Sequence, residues 1–299
     1  MRQRVAAAAE RLGWQPRELA PAGTGERSWL IAVIVSELTS AAYPDLLFAL
    51  SRAFNDQQLG VVLVSVVEEL PSLDFLEPLV AHRVDGVVVA TNLDSTVIDA
   101  MRQRGLPLLL FNRVMPRLRL PAVSCDHLAC GRLLAEHVVQ LGHRRIGVIG
   151  AANSVVGDER VYGMMAALAD AGIEAAGRAY GDFSYASGVD ACERLCANEI
   201  PTAILCANDA MAAGAVDWLR LRSDRRVPED VSVGGIDGAD VGRWLAYRLT
   251  TVRQPAELLG AAAAQLMLAR IVSSSRFYET RLFAGELIPG HSTSHADGI

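Results

Sequence analysis

The sequence contains no lysine; all 28 of its cationic side chains, among 299 residues, are arginine. That absence excludes a Schiff-base lysine, a phosphate-loop lysine and a lysine general base. The six histidines form no HExxH pair, and His127 and His137 stand ten residues apart on one expected helix, too far for a shared ion. No metal site and no cofactor are therefore expected. Serine occurs in no GxSxG elbow, and Gly147-Val148-Ile149-Gly150 lacks the GxGxxG spacing of a dinucleotide site, so no enzymatic activity is expected. The five cysteines are odd in number and lack CxxC spacing, which reads as small apolar packing residues in a reducing compartment. No apolar run approaches the roughly 20 residues that cross a bilayer. The N-terminus is Arg-bearing and Ala-rich rather than a signal peptide, so a cytoplasmic protein without membrane contact is expected. A net charge of -6 leaves no basic excess for a chain-wide nucleic-acid surface. Up to Arg27, five arginines stand against three glutamates, so any DNA contact is confined to a small element.

What is present is apolar alternation on a large scale. With 51% hydrophobic residues the chain is long enough for two moderate cores. Trp29 to Val35 is a continuous apolar run of strand length, suited to a strand covered on both faces. Helices and strands then alternate: a helix Tyr43 to Gln58, strand Val61 to Val66, helix Leu73 to His82, strand Gly86 to Ala90, helix Asp94 to Arg104, and strands Leu108 to Phe111 and Ala122 to Cys125. After a helix His127 to Leu141 the pattern restarts at Ile146 to Ile149 and runs through a second α/β unit to the strands Val231 to Ile236 and Arg248 to Val252. A helix Pro255 to Ile271 follows. This order predicts two doubly wound parallel sheets whose strand ends face a shared cleft, a place that binds small molecules.

The ends of that pattern carry recognisable motifs. Arg2 to Pro16 is a short Ala-rich helix closed by Gly13, with Pro16 just beyond. Pro21, Gly23 and Gly25 mark a linker over 19–28. Leu141-Gly142-His143-Arg144-Arg145-Ile146 ends the helix that begins at His127, and there Gly142 and the cations also have a structural rationale. Asp158 to Gly163 contains Arg160, Cys206 to Gly214 contains Asn208-Asp209, Val227 to Asp237 ends on an aspartate, and Leu249 to Pro255 reads LTTVRQP. Together these segments resemble the LacI/GalR (lactose/galactose-repressor) family of transcription regulators along nearly the whole chain.

The resemblance implies a type I periplasmic-binding-protein-like sensor over 29–299. Its first subdomain is expected over about 29–143 plus 255–281 and its second over about 144–254 plus 282–299. Residues 1–18 resemble the last helix of a helix-turn-helix headpiece, so the chain is expected to begin past the recognition helix, to name no DNA-contact residue and to bind operator weakly. Pro21 and Gly23 oppose the family's hinge helix.

The expected effector is a sugar or sugar derivative, with a homodimer reading a palindromic operator. For the site, the resemblance implies Arg160 forking effector hydroxyls or a carboxylate, with a surface ion pair as the bland alternative. Asp237 is to accept sugar hydroxyls, Gln254 to sit at the cleft floor, and Asn208 to contact ligand while Asp209 caps its helix. Gly238 departs from the family's usual Asp or Asn. Tyr43 and Phe183 are candidate aromatic platforms for a sugar face, with core packing as the alternative. Arg113 and His127 are further cleft candidates, Arg113 facing either an acidic effector or a surface ion pair. A stand-alone sugar-binding protein, similar to a periplasmic one, is the rival function.

Overall fold

A computed structural model describes residues 27–35, 43–66, 76–273 and 278–296. The expected headpiece helix, and the linker up to residue 26, lie outside the described residues.

The first lobe is a six-stranded parallel sheet. Its strands are β1 (Leu30–Val35), β2 (Gly60–Ser65), β3 (Gly86–Val89), β4 (Leu108–Phe111), β5 (Ala122–Cys125) and β11 (Thr280–Phe283), in the order β11-β5-β4-β3-β1-β2. β1, β3, β4 and β5 are buried almost throughout, which is why they read as unbroken apolar runs rather than alternating ones. The second lobe repeats the design with β6 (Ile146–Ala151), β7 (Gly177–Gly181), β8 (Ala203–Cys206), β9 (Ser232–Asp237), β10 (Thr250–Arg253) and β12 (Glu286–Ile288). Their order is β12-β10-β9-β8-β6-β7, and β12 alone runs antiparallel, against β10.

Between the strands run α1 (Tyr43–Asp56), α2 (Leu76–Ala81), α3 (Ser95–Gln103), α4 (His127–Gln140), α5 (Val155–Asp170), α6 (Tyr185–Leu195), α7 (Asp209–Arg222), α8 (Asp240–Arg243) and α9 (Ala256–Ser273). Five of them start on a side-chain cap that satisfies a first-turn N–H: Asp94, Asp126, Ser154, Ser184 and Asn208 for α3 to α7 in turn. The carboxyl ends of the strands, where these caps lie, are also where the two lobes meet.

Three crossings join the lobes, and the first falls earlier than the sequence pattern suggests. The expected boundary near 143 assigns α4 to the first lobe. In the fold α4 packs on α5 and beneath β9, with Leu134 against Gly234, so the chain has already crossed at Asp126. The close approach depends on two glycines. A Cβ at Gly131 would lie 2.0 Å from the carbonyl oxygen of Arg160, and one at Gly163 would lie 1.9 Å from that of Leu128. The second crossing follows Arg253 and sends α9 back against α1. The third follows Phe283, whose strand still pairs with β5, and not residue 281.

Candidate functional site

The second crossing leaves Asp237, at the end of β9, beside Gln254. Asp237 has a φ of 140° and Gly238 one of 71°, a sharp turn that aims the carboxylate back under the strand ends. Arg160 reaches it from α5: Nη2 stands 2.8 Å from Asp237 Oδ1, with the two side chains 3% and 2% exposed. Arg160 Nη1 donates to the Ala207 carbonyl at 2.6 Å, and its Nε to His127 Nδ1 at 3.3 Å. Gln254 Nε2 donates to Asp237 Oδ1 at 2.7 Å. Arg160, expected to contact effector with a surface ion pair as the alternative, is in a buried ion pair whose partner is another expected site residue.

His127 completes the chain of bonds into the first lobe. Its Nε2 donates to the Asn112 carbonyl at 3.2 Å, so Nδ1 is free to accept from Arg160. Burial, and then the neighbouring Arg160 cation, hold its pKa well below the ordinary imidazole value, which keeps the ring neutral as that tautomer requires. Burial pushes Asp237 up, while Arg160 and Gln254 pull against it. Two buried acceptors in this network have no hydrogen-bond partner: Asp237 Oδ2 and Gln254 Oε1.

The cap expected of Asp209 is supplied by Asn208. α7 begins at Asp209, so Asn208 is the cap: its Oδ1 accepts from Met211 N at 2.9 Å, and its Nδ2 donates to the Phe183 carbonyl at 2.9 Å. Both ends of the amide are occupied and the residue is fully buried. Asp209 instead accepts from Thr251 Oγ1 at 2.6 Å and Ala239 N at 2.8 Å, fastening the turn after Asp237 to β10. Burial, and then the charge of Asp237, push its pKa up to about 7. Phe183, with φ 72°, packs partly buried against the second lobe's core.

On the first lobe, Tyr43 OH and Arg113 Nη2 both donate to the Ala90 carbonyl, at 2.6 and 2.9 Å. Arg113 Nη1 donates to Asn92 Oδ1 at 2.5 Å, and its Nε is buried without a partner. No carboxylate pairs with Arg113 among the described residues. The eight predicted residues therefore form three groups: Arg160, Asp237, Gln254 and His127 at the crossings, Tyr43 with Arg113 in the first lobe, and Asn208 with Phe183 in the second.

A cavity of about 490 Å³ opens beside the first group. It touches Asp237 and Gln254 but none of the other six. Its remaining wall includes Leu46 and Phe48 of α1, Pro255 and Leu258 at the start of α9, the arginines Arg243 and Arg253, and the carboxylates Asp45 and Glu257. Arg243 also meets Asp45 of α1 at 3.6 Å, an ion pair between the lobes. Arg253 and Pro255 belong to the LTTVRQP segment; the others belong to no motif, and the fold brings them together. Among the described residues no helix is long and apolar enough to cross a membrane.

Two parallel-sheet lobes, joined by three crossings and enclosing a cavity between them, define a periplasmic-binding-protein-like sensor. The profile of the periplasmic binding protein-like domain matches residues 135–293. The HTH-type transcriptional regulator CelR of Thermobifida fusca is 31% identical over 92% of this chain and 84% of its own. Among solved structures, a CelR–cellobiose complex is similar with a TM-score of 0.80 and 29% identity, over 97% of this chain and 90% of that one. A Lac repressor dimer bound to operator and the anti-inducer ONPF matches with a TM-score of 0.83 and 27% identity, over 98% and 90%. The chain belongs to the LacI/GalR family of helix-turn-helix transcriptional regulators.

Proposed function

We propose that this chain is a cytoplasmic, non-enzymatic repressor whose sensor binds a neutral sugar or sugar derivative between the lobes. The observation that carries the reading is the pair of buried acceptors without partners, Asp237 Oδ2 and Gln254 Oε1, beside the interlobe cavity. A buried acceptor is costly to leave unpaired, and adjacent sugar hydroxyls are donors of the right kind. Arg160 and Asp237 already neutralise each other, so the floor demands no charged ligand. Phe48, Leu46 and Leu258 offer an apolar wall to a pyranose face. The cellobiose held by the CelR relative supports the same ligand class.

Binding between lobes joined by three crossings favours one lobe angle, and in a homodimer that angle sets the spacing of two DNA-reading headpieces on a palindromic operator. Leu221, Trp244 and Leu245 stand exposed on neighbouring segments of the second lobe, where a second subunit would cover them. A coupling of about 1–3 kcal/mol between effector and DNA suffices for regulation.

A thermal-shift screen against neutral sugars, sugar acids, sugar phosphates and nucleosides tests the proposal. A neutral sugar is expected to raise the Tm of the parent chain and not that of Gln254→Leu. A response confined to anionic ligands, or one that Gln254→Leu retains in full, contradicts it.

A further inference from the structure

The first crossing carries a thiol pair that the effector site does not use. Cys125 closes β5 in the first lobe and Cys130 lies in the first turn of α4 in the second. Their Sγ atoms stand 3.3 Å apart, both residues are 1% exposed, and neither is in a disulfide. Cys192, Cys196 and Cys206 belong instead to the second lobe's own core.

Cys130 is also where the crossings converge. Asp126 N donates to the Phe283 carbonyl at 2.8 Å, tying the first crossing to the third. A Cβ on Gly285, in the third crossing, would lie 2.6 Å from Cys130 Sγ and 2.8 Å from Val252 Cγ1 at the second. The two thiols differ chemically. The Cys125 hydrogen bond, with help from Arg160 and the Gly285 N–H, holds the Cys130 pKa below the ordinary thiol value despite burial. Cys125, bonded to Cys130 and buried, is pushed up.

We infer that Cys125 and Cys130 form an oxidation-sensitive dithiol that closes to an intramolecular disulfide and locks the hinge between the lobes. With hydrogen peroxide as oxidant, Cys130 thiolate attacks a peroxide oxygen and displaces hydroxide, leaving a sulfenic acid. Cys125 sulfur then attacks the Cys130 sulfur, the S–S bond forms and the sulfenic oxygen leaves as water. Two thiols and one peroxide give one disulfide and two waters. The Sγ atoms must approach to about 2.05 Å, which rotation about the two Cα–Cβ bonds has to supply. The closed ring spans Asp126 and His127, so it fixes the backbone that must turn when the lobes move, and with it the ring that accepts from Arg160.

The experiment treats the folded chain with hydrogen peroxide, blocks remaining thiols with iodoacetamide and digests with trypsin. Cleavage after Arg119 and Arg132 releases both cysteines in one peptide, Leu120 to Arg132. That peptide is expected unalkylated and lighter by two hydrogens. Amide hydrogen exchange at Asp126 to Cys130, Arg253 to Gln254 and Phe283 to Gly285 is expected to slow about fivefold or more, the lower end of a typical allosteric coupling. Dithiothreitol should restore it, and Cys130→Ser should not slow. The comparison of the parent chain with and without dithiothreitol stands alone if that variant fails to fold. A peptide that stays doubly alkylated, that gains oxygen instead of closing, or that closes without slowing the three crossings overturns the inference.

Discussion

Replacing Asp237 by asparagine keeps the side chain's shape but leaves Arg160 buried with its full charge and no carboxylate bonded to it. The pair is only 3% and 2% exposed, so water screens it little. Removing one partner of such a pair costs about 3–5 kcal/mol. Arg160 retains the Ala207 carbonyl at 2.6 Å and His127 Nδ1, which points to the lower part of that range, about 3 kcal/mol. Arg160→Met strands the carboxylate instead, with Gln254 as its remaining donor, and should cost a similar amount. The double variant leaves no unpaired charge. Its loss should therefore fall short of the sum of the singles by about 2 kcal/mol. Urea unfolding followed by far-UV circular dichroism at pH 7.5 gives all four stabilities, and repeating it in high salt should leave the coupling unchanged because the pair is buried. The exposed Asp45–Arg243 pair serves as a control expected to move little. Single losses below about 1 kcal/mol, or additivity within about 0.5 kcal/mol, would refute the buried-pair reasoning.

Three further outcomes follow from the same geometry. Asn208→Ala removes the α7 cap and the bond to the Phe183 carbonyl and should cost about 1–2 kcal/mol, whereas Asn208→Ser, which can still cap, should recover most of it by thermal unfolding. His127 is neutral in the fold with a depressed pKa, so the unfolded chain takes up its proton first. Its contribution to stability is complete above about pH 6.5 and falls below that by up to about 1.4 kcal/mol per pH unit until the folded pKa is reached. Asp209, raised to about 7, acts oppositely, since the folded chain takes up its proton first as pH falls from there towards the ordinary aspartate value. Comparing the parent with His127→Asn cancels the Asp209 effect; the stability difference should change between pH 7.5 and 5.5, and parallel curves would count against a neutral His127. Gly131→Ala drives a Cβ into the Arg160 backbone and should cost about 2 kcal/mol or more in urea unfolding while weakening ligand binding, and an unchanged midpoint would show that α4 and α5 are not held as described.

Much of the fold is legible in the sequence because its central strands are buried on both faces and so appear as plain apolar runs, as at Leu108 to Phe111 and Ala122 to Cys125. β7, β11 and β12 were not anticipated. They lie at sheet edges or follow a crossing, nearly all their residues are exposed or only half-buried, and their pairing is set by the fold rather than by composition. The allocation of α4 to the second lobe rests on Gly131 and Gly163, whose purpose shows only when two helices touch. At the site, a family resemblance marked Arg160, Asp237, Gln254 and His127, and the fold brings these four together. It could not reveal that they bond to one another, because that is a matter of distance. The assignment of the cap to Asn208 rather than Asp209 turned on a single residue: both can cap, and α7 begins one position earlier than its apolar pattern implies. The cavity wall of Phe48 and Leu258 had no signal, being two exposed apolar residues on helices far apart in the chain.

The central claim is that a sugar hydroxyl fills the unpaired acceptors at Asp237 and Gln254, and titration calorimetry tests it most directly. The strongest neutral sugar from the screen is compared with its full set of monodeoxy analogues at one pH and salt concentration. The account predicts one or two positions whose loss weakens binding about tenfold or more, since the deoxy ligand leaves a buried acceptor unpaired at a cost of about 1–3 kcal/mol, and predicts that Gln254→Leu abolishes the discrimination at one of them. Monodeoxy sugars that all bind within about twofold of the parent would contradict it.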